Sequence, residues 1–153
     1  MVSYISVMEG DVIKIRSKHG VYMNLIFSEE ELVAIAKLAN AMIVADGKVA
    51  EREMDSWIME MERFGVSKSD FHLWYWKSEG LSLTDALGVV SKLDDERKKY
   101  IGAFLGALMA VDGHVDGDEL KLWQLTSMFC DLPTMSVMQA LEYMAELSAK
   151  REE

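Results

Sequence analysis

Two stretches of this chain carry carboxylates at matched spacing. Residues 44–57 read VADGKVAEREMDSW, and residues 110–123 read AVDGHVDGDELKLW. Asp46, Gly47, Val49, Glu53 and Trp57 recur 66 positions later as Asp112, Gly113, Val115, Glu119 and Trp123. With Ala41/Ala107 added, six of seventeen positions match between residues 41–57 and 107–123. If the two corners face each other, Asp46, Glu53, Asp112 and Glu119 gather into one carboxylate cluster. Four such anions repel unless a proton or a cation joins them. Oxygen donors alone suit Ca²⁺, Mg²⁺ or Mn²⁺. In the second corner His114, Asp116 and Asp118 are further candidate ligands that would admit a transition metal, with Zn²⁺ the less favoured choice.

A purely structural account competes for the same residues. A helix that ends in a sharp corner needs a left-handed residue, which glycine supplies without steric cost, so Gly47 and Gly113 are expected there. Val49 and Val115 are expected to tuck into the core, and Trp57 and Trp123 to lie on inward stripes. Asp46 and Asp112 are placed at helix C-terminal ends, where the macrodipole disfavours a carboxylate by about 0.3–1 kcal/mol. Capping of the next helix is one compensation, and Asp116 with Glu119 reads as a capping box. In the first corner the cap position is Ala50, a poor N-cap, yet Glu53 is present. Capping therefore leaves Glu53 unexplained. An EF-hand is excluded, because its first and third loop positions would be Met42 and Val44, or Leu108 and Ala110, none of which ligates calcium. A loop begun at Asp112 would put Trp123 where the last glutamate belongs.

The elements that must hold these corners are helices. Ser28 and Glu31 form a capping box for a first helix whose apolar residues Leu32, Ile35, Ala36, Ala39 and Ile43 run to Gly47. A second helix spans 51–64 with Met54, Trp57, Ile58, Met61 and Phe64 inward. Ser67 with Asp70 opens a third helix ending near Gly80, and Ser82 with Asp85 opens a fourth ending near Lys92. Asp94–Glu96 suit the positive end of a fifth, lined by Ile101, Phe104, Leu105 and Leu108 as far as Gly113. A sixth runs from Asp116 to near Cys130. Pro133 is expected at the opening of a seventh, with Val137, Met138, Leu141, Met144 and Ala145 inward. The fold class is therefore all-α, a single-domain bundle of about seven helices built from two pseudo-symmetric helix–loop–helix repeats. Residues 1–27 stand apart as an N-terminal arm, either a strand pair around Lys18–Gly20 or a loose extension. Residues 28–153 form the helical domain, with repeat halves at about 28–92 and 94–150.

Composition narrows the function classes. The 153 residues carry a formal charge of −10, so there is no basic stripe for phosphates and no nucleic-acid partner is expected. Cys130 stands alone, which precludes an intramolecular disulfide and a thiolate metal site. The first twenty residues do not read as a signal peptide, and no apolar run is long enough for a membrane span, so a cytoplasmic location is expected. His19, His72 and His114 have no evident serine or cysteine partner and phosphate-binding glycine loops are missing, so a non-enzymatic role is expected. The run FHLWYWKSEG (residues 71–80) is aromatic-rich. One stripe buries Phe71, Trp74 and Tyr75 and leaves Leu73 and Trp76 either between helices or in a partner-binding patch over Phe71–Trp76.

Paired ADG and VDG corners, each with a glutamate seven residues after its aspartate, in an all-helical chain of this length, resemble the TerB (tellurite-resistance) family. The likeness covers roughly residues 28–150. It implies a compact two-part helical bundle, metal-binding acidic residues at the positions of Asp46, Glu53, Asp112 and Glu119, and a role in bacterial stress responses. A related domain in DnaJ-like co-chaperones implies the alternative of a metal-free interaction scaffold that uses the aromatic helix surface. Two readings thus stand: a stress-associated module binding a divalent cation, and a scaffold.

Overall fold

The computed structural model describes residues 4–9, 12–17, 25–45, 51–64, 66–111, 113 and 115–151. Its body is an all-α bundle of seven helices: α1 Glu29–Ile43, α2 Glu51–Arg63, α3 Phe71–Glu79, α4 Leu83–Ser91, α5 Asp95–Met109, α6 Gly117–Cys130 and α7 Val137–Arg151. Three short strands precede it: β1 Tyr4–Glu9, β2 Val12–Ser17 and β3 Ile26–Ser28. They form one antiparallel sheet in the order β1-β2-β3, with Glu9 opposite Val12 and Lys14 opposite Ile26. β2 and β3 pair across the segment that holds Lys18–Gly20, residues that themselves lie outside the described ones.

The N-terminal segment joins the core at its end. Leu25 and Phe27 are fully buried. The Phe27 ring meets Phe64 at 5.4 Å and Tyr100 at 5.8 Å between centroids, tying β3 to α2 and α5. The edge-on Phe27–Phe64 contact adds about 0.5–1.5 kcal/mol beyond the area it buries.

The starts of the helices follow local chemistry. Ser28 and Glu31 make the reciprocal capping box, with bonds of 3.1 and 2.8 Å. Ser82 accepts from the Asp85 amide at 3.0 Å, and Asp94 from the Arg97 amide at 2.9 Å. A single 3₁₀ turn, Lys68–Asp70, leads into α3, where the Ser67 hydroxyl donates to the Asp70 carboxylate. α7 corrects the expectation placed on Pro133. Its cap is Ser136, whose hydroxyl accepts from the Gln139 amide while the Gln139 side chain accepts from the Ser136 amide. This two-bond box satisfies two otherwise orphaned donors, which a proline three residues earlier cannot do.

The expected stripe of α7 is also rotated. Met138 is 63% exposed, and Leu141 and Ala145 face solvent, while Ala140 is fully buried. Val137, Met144 and Leu147 pack on the core. The cause lies on the opposing helix. A Cβ added at Gly106 would stand 2.9 Å from the Ala140 Cβ, so α5 and α7 approach through a glycine and an alanine, and α7 turns Ala140 inward.

α1 and α5 are the central helices. Leu32, Ile35, Ala36, Ala39 and Ile43 are buried on α1, as are Ile101, Phe104, Leu105 and Leu108 on α5. α1 packs against α3, α4 and α5, and α5 against α6 and α7. A helix buried on most sides must be apolar on most sides. The helix starts Glu29 and Asp95, Glu51 and Gly117, and Phe71 and Val137 are each 66 positions apart.

Candidate functional site

Both corners begin where a central helix unwinds. α1 ends at a Val44 cap with φ −98° and ψ 5°, and α5 at an Ala110 cap with φ −101° and ψ 4°. The last amides bond back in tightened turns, Ala45 to Met42 and Val111 to Leu108. Both helices are thus shorter than expected and stop before Asp46 and Asp112. Gly113 adopts φ +81°, the left-handed conformation foreseen for it, and its amide donates to Ala110. Val115 is 37% exposed rather than tucked inward.

The two glutamates land in equivalent places. Glu53 is the third residue of α2 and Glu119 the third of α6. Their exposures are 4% and 2%, against an exposed majority of neighbours in the same first turns. The third helical position lies near the positive end of the helix dipole, which favours a carboxylate. Asp116 is the N-cap of α6 and accepts from the Asp118 amide at 2.8 Å. The Asp118 side chain is exposed. Asp46, Asp112 and His114, together with Gly47, Val49 and Ala50, lie outside the described residues. Among the described residues no group of three or more histidine, cysteine, aspartate or glutamate side chains converges as a metal site. α2 and α6, the glutamate-bearing helices, each pack on both α1 and α5.

One turn beyond each glutamate the tryptophans diverge. Both are buried, but the Trp123 indole N–H donates to the Gly102 carbonyl at 2.9 Å. The buried Trp57 N–H meets no acceptor among the described residues, and its ring instead packs edge-on against Phe71 at 4.6 Å. The reason is one residue on the central helix. Gly106 leaves room for the Trp123 ring to lie on the α5 backbone, a Cβ there being 2.7 Å from the indole. The position 66 residues earlier is Asn40, a buried side chain that donates to Glu79 at 3.3 Å. The Gly102–Gly106 pair, glycines four apart on one helix face, was the sequence signal for this close approach.

A third buried glutamate was not anticipated. Glu60 is 5% exposed and accepts from the Tyr100 hydroxyl and from Arg63, both at 2.8 Å, joining α2 to α5. It follows Glu53 and Trp57 at helical spacing, on the same face, and that spacing would have flagged it.

The aromatic helix α3 presents more surface than expected. Trp74 is buried beneath the Lys77 ammonium, 5.1 Å from the ring centroid, and Lys77 pairs with Glu29. Leu73 and Trp76 are not held between helices: they are 50% and 72% exposed. Tyr75, expected inward, is 38% exposed. Burial raises the Cys130 thiol above its ordinary pKa, opposed by nearby Lys98, and its Sγ lies 3.4 Å from the Leu87 carbonyl. No described helix is long and apolar enough to cross a membrane.

No family model matches the chain, and no curated protein does. Among solved structures, it resembles the crystal structure of a protein of unknown function from Porphyromonas gingivalis W83. The two share 42% sequence identity with a TM-score of 0.69, over 77% of this chain and 97% of that one. The chain belongs to that protein's family. At this identity, nearly the whole of the relative shares one helical architecture with this chain.

Proposed function

We propose that this protein is a non-enzymatic, TerB-like stress-associated module that binds a divalent cation through its paired acidic corners. The ligands are Asp46, Glu53, Asp112 and Glu119, with His114, Asp116 and Asp118 as further donors, in a cytoplasmic setting that suits a lone cysteine. The observation that carries this reading is the matched burial of Glu53 and Glu119 at 4% and 2% exposure, each in the first turn after an aspartate–glycine corner. Removing a carboxylate from water is costly, and a shared cation offsets that cost at both positions together. Oxygen donors favour Ca²⁺, Mg²⁺ or Mn²⁺ over softer ions.

A thermal-shift series with Ca²⁺, Mg²⁺, Mn²⁺ and Zn²⁺ tests it. An ion present at about one hundred times its Kd adds about 2.7 kcal/mol, a rise of roughly 5–10 °C for a chain this size. The Glu53→Gln, Glu119→Gln double variant is expected to lose that rise. No shift with any ion at millimolar concentration sinks the cation reading. The second reading, a metal-free scaffold that binds a protein through the Phe71–Trp76 region, is favoured by the exposure of Leu73 and Trp76. It expects no ion response and a partner interaction lost in Trp76→Ala.

A further inference from the structure

α3 and α7 start 66 positions apart, and the surfaces they show differ in kind. At the places of Leu73 and Trp76 the second half carries Gln139 and Glu142, both exposed. The bundle thus does not require apolar side chains at these two positions. Trp76 lines a groove between the start of α1 and the α3–α4 connection. It consists of two adjoining hollows of about 410 and 580 Å³ that share Val33, Lys77 and Leu81. Three carboxylates line them, Glu29 and Glu30 in one and Glu79 in the other, against the single ammonium of Lys77. Lys77 is already engaged, paired with Glu29 and lying over the Trp74 ring. Neither Glu30 nor Glu79 enters an ion pair among the described residues.

The second half holds a comparable hollow with a cation in place. Lys99, Glu142, Tyr143 and Glu146 line it, and the Lys99 ammonium lies 5.2 Å from the Tyr143 ring centroid. Lys99 follows Val33 by 66 positions, so the first half presents an aliphatic floor where the second half brings its own lysine. We propose that the Trp76 groove takes up a lysine or arginine side chain from a segment of another protein. The charged head lies against the Trp76 indole and the Glu30 and Glu79 carboxylates, and a neighbouring aliphatic side chain covers Val33 and Leu81. This docking rests on the reading of Phe71–Trp76 as a protein-binding surface, and it is independent of a cation at the corners. Tryptophan is the best of the aromatic rings for a cation, and it is among the residues that most often anchor an interface. The carboxylates add selectivity and on-rate. A second copy, at −10, and an anionic membrane are both repelled from an acidic groove.

The test titrates the full chain into three fluorescently labelled peptides that alternate leucine with arginine, with glutamine or with glutamate. The arginine peptide is expected to bind at least about tenfold tighter than the glutamine peptide, and to weaken as salt rises. Trp76→Ala, at an exposed position that leaves the thermal melt unchanged, is expected to weaken it about tenfold or more. The Glu30→Gln, Glu79→Gln variant keeps the Asn40 contact an acceptor and is expected to erase the preference for arginine over glutamine. Met128→Asp, on the exposed face of α6, is expected to change nothing. Equal, Trp76-dependent binding of all three peptides overturns the basic partner and leaves the surface reading standing. Arginine-peptide binding that survives Trp76→Ala overturns both. An arginine preference unchanged in the double variant, or no binding of any peptide, overturns the basic partner alone, because the surface reading is decided by its own partner interaction. So does a dimer abolished by Trp76→Ala in sedimentation, which would make a second copy the occupant, or Trp76-dependent binding to anionic vesicles in place of the peptide.

Discussion

Replacing Gly106 by alanine inserts one methyl group at the most crowded point of the bundle. The new Cβ would lie 2.7 and 3.0 Å from two atoms of the Trp123 ring and 2.9 Å from the Ala140 Cβ. Carbon atoms pack best at about 3.5–4.0 Å, so both neighbours must give way by most of an ångström. Neither does so freely. The Trp123 ring is anchored by its N–H on the Gly102 carbonyl, and Ala140 is carried on the α7 backbone. Overpacking costs about 1–3 kcal/mol, and losing the indole hydrogen bond about 1 kcal/mol more. The better helix propensity of alanine returns about 1 kcal/mol. The net expectation is a loss of about 1–3 kcal/mol, or roughly 2–10 °C in Tm. Gly88 is the internal control. It is exposed in α4 with nothing within 4 Å of an added Cβ, so Gly88→Ala is expected to gain about 0.4–1 kcal/mol. Urea unfolding of both variants by circular dichroism reads the two effects with opposite signs. A Gly106→Ala protein as stable as the parent, or a Gly88→Ala protein that falls with it, would refute the close α5–α6–α7 packing.

The paired tryptophans provide a second contrast: Trp123→Phe is expected to cost about 1 kcal/mol more than Trp57→Phe, since only Trp123 surrenders a hydrogen bond to the described residues. Equal losses in chemical denaturation would contradict the inequivalence of the two tryptophan environments. Tyr100→Phe removes the hydroxyl that donates to buried Glu60 and is expected to destabilise by about 1–3 kcal/mol, measured in the same way. For Cys130 the sign follows from its raised pKa: the folded state holds the thiol proton more tightly than the unfolded chain. Its contribution is therefore intact below the ordinary thiol pKa and is lost as pH climbs through the raised value. Stability of the parent minus that of Cys130→Ala is expected to shrink above about pH 9, and labelling by a thiol reagent at neutral pH to be slow in the native state. A constant difference across that range would argue against the burial of the thiol.

Much of this protein was legible in its residues because the deciding forces are local. The helix openings at Ser28, Ser82, Asp94 and Asp116 follow from side-chain oxygens that meet backbone amides two or three residues on, a contact set by sequence alone. The inward stripes of α1, α2 and α5 follow from apolar periodicity, and the left-handed turn at Gly113 from the freedom of glycine. The Ser136–Gln139 box is equally local, a side-chain oxygen meeting a backbone amide three residues on. The rest was decided by neighbours distant in sequence. Gly106 and Ala140 set the rotation of α7, and no pattern within α7 encodes the shape of α5. Leu73, Trp76, Met128 and Phe129 are apolar residues left in solvent, an outcome fixed by which helices cover which faces. Glu53 and Glu119 show the division most clearly. Their types and spacing mark them as a pair from the sequence, but their burial is a product of tertiary packing, because only packed neighbours can exclude water from a carboxylate in the first turn of a helix.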